Sequence, residues 1–245
     1  GIMGVSAGAS LGAVIAIALG FTSLGMFYMP AFAFVGAFVS VGITILLTLR
    51  NNKLDTTTLL LAGVAVSMLL GAFTSGILTM INEYRLREFL FWMVGGLDFR
   101  RWDHVLLAVG PIMTGSVILM MLGRHLNVLV LGDTEARALG VPVMVYRMLF
   151  LFLSSVITAT AVCVSGSIGF VGLVVPHIVR LLVGPDHRIL LPMAAIGGAL
   201  FLVFCDTLGR VVAQPVEIRV GIMTALLGAP YFLYLLHRLR SKGGA

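Results

Sequence analysis

Continuous apolar runs separated by short polar breaks set the pattern of this chain. They fall at about 4–20, 31–49, 59–81, 105–123, 144–165, 168–183, 189–209 and 220–237. Membrane strands would alternate apolar and polar positions over roughly ten residues. These runs do not alternate, and most approach the roughly 20 residues that a helix needs to cross the hydrocarbon core. The pattern predicts an all-α, polytopic bundle of about eight spans. One stretch departs from it. Gly166–Pro192 holds Pro176, His177 and Arg180 inside a short apolar run, breaks at Gly184-Pro185-Asp186-His187-Arg188, and resumes at Ile189. Polar groups and broken backbone at membrane depth are costly, so this stretch is the first candidate for function.

Composition supports the membrane reading. The chain is 60% hydrophobic and 11% charged, with mean hydropathy +1.11, whereas a soluble domain is about one quarter charged. The net charge of +6 sits mainly between apolar runs, as loop charge does, and does not point to nucleic acid. Basic residues near 50–53, 124–147 and 180–188 and at the C-terminus fall on one side, with Arg85, Arg87, Arg100, Arg101, Arg210 and Arg219 on the other. The positive-inside rule then places the first group, and the C-terminus, in the cytoplasm. Cys163 and Cys205 lie in apolar runs and read as small packing residues. A start at Gly1, inside a glycine-rich apolar run, is expected of a chain lacking its natural N-terminus.

The polar breaks carry the remaining expectations. Segment 82–104, with Trp92 and Trp102, suits aromatic anchoring at the water boundary and a short amphipathic helix lying on the surface. Residues 133–140 read as a short helix with acid at its start and glycine after its end, either a solvated connector or a docking element. Thr56 and Thr57 precede a span, as a helix cap after Asp55 or as a constriction at a pore mouth. Asp206 and Arg210 are four apart and are expected to pair. His177, Asp186 and His187 lack the i,i+3 or i,i+4 ligand spacing of a helical metal site, and neither HExxH nor GxSxG occurs. Pro176 is expected to interrupt its helix. Asp186 suits a cap or turn. Abundant glycine predicts close helix packing. Gly1–Val5 resembles Gly166–Phe170, and Leu61–Gly63 resembles Leu226–Gly228, both at an offset of 165. That shift spans an odd number of segments, as in an inverted-topology repeat.

Gly166–Pro192 also resembles the membrane permeases of ABC importers for iron-siderophores, haem and cobalamin, the FecCD family. The resemblance rests on Gly169, Gly172, Leu173, Pro176, His177, Arg180, Gly184, Asp186, His187, Arg188, Leu190, Leu191 and Pro192. GVSAGASLGA at 4–13, LLLAGVAV at 59–66, FWMVGGL at 91–97, LGDTEARALGVPV at 131–143 and GIMTALLGAPYFLYLL at 221–236 extend it over essentially the whole chain. It implies a single permease domain over 1–245, eight of the family's ten spans, with the first two missing. It also implies a homodimer in the cell inner membrane, two cytoplasmic ATP-binding subunits and an extracytoplasmic substrate-binding protein. ATP hydrolysis would belong to those partners, and no cofactor, metal or catalytic residue is implied in this chain. By the same resemblance Glu135, Ala136, Arg137 and Gly140 belong to the ATPase-coupling element, Thr56 and Thr57 to the cytoplasmic gate, and Arg210 to the docking face for the binding protein. Arg219 departs from the family, which commonly has Pro there.

Overall fold

The computed structural model describes residues 4–50, 53–54, 56–98 and 100–242. It is a helical bundle with eleven α-helices among those residues. In chain order they are α1 (Val5–Ala18), α2 (Tyr28–Thr48), α3 (Thr56–Leu78), α4 (Glu83–Met93), α5 (Trp102–Met121), α6 (Gly123–Val130), α7 (Asp133–Ala138), α8 (Val143–Ser165), α9 (Val171–Val183), α10 (His187–Val212) and α11 (Val220–Lys242). A 3-10 turn at Phe21–Ser23 links α1 to α2, and a two-residue ribbon, Leu49–Arg50 against Lys53–Leu54, links α2 to α3. The cap predicted at Asp55 lies outside the described residues. Each of the eight apolar runs is a helix. Helices α2, α3, α5, α8 and α10 are long and apolar enough to cross a bilayer, and α1, α9 and the apolar part of α11 are shorter. The protein is therefore a multi-pass membrane protein.

Helix α1 forms the heart of the first half. It packs on α2, α3, α4 and α8, and its Val5, Ala9, Ala13, Val14 and Ile17 join Ala33, Ala37, Phe89, Trp92 and Ala159 in the largest core cluster. Glycine permits this closeness, as expected. A Cβ on Gly8 would meet the Gly36 carbonyl, and one on Gly36 would meet the Gly8 carbonyl. Between helices in lipid, such backbone approach supplies the packing that water would otherwise drive. The buried Ser40 hydroxyl donates to the Gly4 carbonyl (2.9 Å) and ties α2 to the start of α1.

The second half repeats this plan. The triplet α1–α2–α3 has 14, 21 and 23 residues, and α9–α10–α11 has 13, 26 and 23. In each triplet the three helices touch one another. Each short helix is about 20 Å long, too short for a core of about 30 Å. Helix α1 ends against α4, where the Arg85 guanidinium donates to the Ala18 carbonyl (2.8 Å). The chain just past α4 instead meets the connection into α9, where the Gly96 amide donates to the carbonyl of Ser165, the last residue of α8 (2.8 Å).

Two local expectations are corrected. Helix α4 forms with the amphipathic character expected, exposing Tyr84, Arg87, Leu90 and Phe91, but Trp92 lies on its buried face and not at a water boundary. Phe89 is 1% exposed and Trp92 6% exposed, because α4 turns its apolar side into α1. Trp102, by contrast, is 80% exposed. Pro176 lies inside α9 and does not interrupt it. The amide that Pro176 lacks would have served Gly172, in the first turn of the helix, so only one bond is lost, close to its end.

Candidate functional site

Chemistry-bearing side chains gather at the two ends of the bundle. At the end where α5 leads through α6 and α7 into α8, the sequence pattern forms two short helices instead of one. Helix α6 packs on α10 and brings Asn127 to the polar turn 184–188. The Asn127 side-chain amide donates to Asp186 Oδ1 (2.7 Å), while Asn127 Oδ1 accepts from the His187 backbone amide (2.9 Å) and lies 2.7 Å from His187 Nδ1. Asp186 caps α10 as expected, accepting from the Arg188 amide (2.9 Å). That amide and the Asn127 side chain hold the Asp186 carboxyl below its ordinary value. The cap is therefore ionised at neutral pH, and its stabilising bonds are lost only as pH falls through the depressed value. Asn127 was invisible as a site residue in the sequence, since its partners lie about sixty positions away.

Replacing Asn127 with alanine is expected to destabilise the fold by about 2 kcal/mol, because it removes several partly buried hydrogen bonds and leaves their partners unpaired. Thermal unfolding in detergent checks this. A midpoint equal to the parent's would mean that the bridge contributes nothing.

Helix α7 carries Glu135, Ala136 and Arg137. Ala136 is fully buried, and Glu135 and Arg137 are exposed. Asp133 reaches Arg147 of α8 (2.7 Å). The Glu135 carboxylate folds back over Gly132, at the positive end of its own helix. At the other end the Gly140 amide donates to Arg137 O (2.9 Å) and the Val141 amide to Ala136 O (3.0 Å). Gly140 has φ +78°. This pair of bonds is the Schellman arrangement, with glycine at the left-handed position. Thr56 opens α3 and Thr57 is exposed in its first turn.

At the opposite end, Arg210 Nε donates to Asp206 (2.8 Å), as the spacing predicted, and Arg210 also lies 3.8 Å from Asp98. Arg219 Nη1 donates to the Phe91 carbonyl (2.6 Å) and the guanidinium sits 4.7 Å from the Phe91 ring centre. Arg219 thus fastens the start of α11 to α4.

The FecCD transport family model matches residues 1–238. The chain belongs to the FecCD transport family. Among FecCD relatives, the cobalamin import system permease protein BtuC of Halobacterium salinarum is 47% identical over 96% of this chain, which spans 62% of that protein. The hemin transport system permease protein HmuU of Yersinia pestis is 43% identical over 99% of this chain and 73% of its own length. A solved ABC transporter assigned to the metal-chelate type, in an inward-facing conformation, superposes with a TM-score of 0.90 at 34% identity. It covers 97% of this chain and 75% of that one. The FecCD chain is thus similar to transport permeases in both sequence and fold.

Proposed function

We propose that this chain is the membrane-spanning permease domain, over 1–245, of a binding-protein-dependent ABC importer for a metal chelate of the iron-siderophore, haem or cobalamin class. The observation that carries the reading is the family match over residues 1–238, joined to a bundle of the same shape as a metal-chelate-type transporter. The protein works as a homodimer in the cell inner membrane, with cytoplasmic ATP-binding subunits and an extracytoplasmic binding protein. The end with α6 and α7 and the C-terminus face the cytoplasm. ATP is hydrolysed by the partners, so the permease needs only to hold two states that ATP and the loaded binding protein favour unequally. Glu135, Ala136, Arg137 and Gly140 couple it to the ATPases, Thr56 and Thr57 narrow the cytoplasmic gate, and Arg210 meets acidic groups of the binding protein.

The test is uptake by vesicles containing the complete permease and its ATPase, with binding protein outside and ATP inside. ATP-dependent accumulation of a metal chelate supports the proposal. Accumulation down a gradient without any ATPase would make the protein a passive channel. Arg210→Glu in the same system is expected to weaken binding-protein docking by about tenfold or more, since a rim charge is reversed beside Asp206 and Asp98. Equal affinity at low salt would remove Arg210 from the docking face.

A further inference from the structure

Between the junction of α5 with α6 and the start of α10 lies a cleft of about 780 Å3. Its walls divide by chemistry. Arg124, Arg188, His125 and Asp186 form the polar part, while Met121 and Ile189 belong to the apolar part. Met121 and Ile189 stand on α5 and α10, two helices of membrane-crossing length, and are 76% and 49% exposed. Arg124 and Arg188 are both exposed, and among the described residues neither joins a salt bridge.

The single carboxylate in the cleft is already engaged. Asp186 Oδ1 accepts from Asn127 and from the Arg188 amide. His125 places its Nε2 2.9 Å from the Tyr146 hydroxyl and stacks on that ring, while its Nδ1 is buried with no hydrogen-bond partner. The cleft therefore offers two exposed arginines that join no salt bridge among the described residues, beside the exposed apolar side chains of Met121 and Ile189.

We propose that this cleft is a headgroup site for an acidic phospholipid, with the phosphate between Arg124 and Arg188 and an acyl chain along Met121 and Ile189. Basic pockets between spans at the membrane boundary select acidic headgroups for this reason. A soluble anion would find the cations but no use for the apolar wall, and a protein partner would have no need of a wall continuous with the bilayer. The inference rests on the multi-pass membrane placement and is independent of the cargo, so failure of uptake would leave it standing.

The test is native mass spectrometry of the full-length protein released from detergent with equal amounts of phosphatidylglycerol and phosphatidylcholine. Wild-type protein is expected to retain phosphatidylglycerol preferentially. Arg124→Gln with Arg188→Gln should reduce that preference by about 30-fold, from the loss of two boundary arginines, whereas Arg101→Gln should not change it. Circular dichroism of the double variant establishes that it is folded. Glycerol phosphate, the soluble headgroup alone, should not displace the lipid. Equal retention of the two lipids by the wild type, an unchanged preference in the folded double variant, or displacement by glycerol phosphate would each overturn the site. So would loss of ATPase co-purification in the double variant with lipid retention intact, which would make the cleft a protein-docking surface.

Discussion

Replacing Gly36 by alanine is expected to destabilise the bundle by about 3 kcal/mol or more, at the upper end of what overpacking costs. The expectation follows from the backbone. The added carbon would meet the Gly8 carbonyl, the Gly8 carbonyl carbon and the Gly12 amide, all main-chain atoms of α1. No rotamer change can relieve that contact, so α1 and α2 must separate. Separation would unpack α1 from the side of the bundle where it also meets α3, α4 and α8. Gly42, on the same helix, provides the control because nothing lies within 4 Å of its Cβ position. Gly42→Ala should be neutral or gain up to about 1 kcal/mol from helix propensity. Melting curves of the two variants in detergent decide the matter. Equal midpoints would mean that the α1–α2 approach is not what holds the first half together.

Sequence pattern located the spans well because a helix in lipid must satisfy its own backbone and present apolar side chains over its whole length. Such information is local. The Asp206–Arg210 pair and the glycine stop after α7 were legible for the same reason, since each depends on residues within one or two turns. What was not legible depends on contacts between distant segments. The side chain of Trp92 suits a water boundary or a core equally well. Only the docking of α4 on α1, fixed by Phe89 and by Arg85 on the Ala18 carbonyl, buries it. Asn127 looks like one polar residue in a connector until Asp186 and His187 are brought to it. Helix α6 was missed because its eight residues follow α5 almost without a break. Pro176 was misread because the cost of proline depends on how near it lies to the helix start.

The repeat gives these details a common frame. Each triplet opens with a helix too short to span, preceded by a left-handed residue, Gly4 at φ +76° and Phe170 at φ +66°. A non-glycine residue there is uncommon and carries strain of order 1 kcal/mol or more, which the surrounding packing must offset. A Cβ on Gly228 would meet the Phe170 side chain, so α11 supplies the surface against which that residue is held.

Gly140→Val is expected to uncouple transport while leaving the bundle folded. The position has φ +78°, which a β-branched residue adopts at a cost of about 1–2 kcal/mol or more. Nothing lies within 4 Å of a Cβ there, so the penalty is conformational and does not arise from crowding. The strain falls on the two bonds from Gly140 and Val141 that close α7, a helix of only six residues. With the end of α7 loosened, Ala136 loses its fixed seat and Glu135 and Arg137 lose their fixed directions. If α7 transmits movement to the ATPases, a penalty of about 2 kcal/mol lowers the population of the competent arrangement by about 30-fold. Binding-protein-stimulated ATP hydrolysis should fall by a similar factor while the melting midpoint in detergent changes little. Asn tolerates the left-handed region better than valine, so Gly140→Asn should retain much of the stimulation. Full stimulation in the valine variant would show that the closed end of α7 is not what the ATPases read. Loss of stimulation in the valine and asparagine variants alike would point to the side chain itself obstructing the contact.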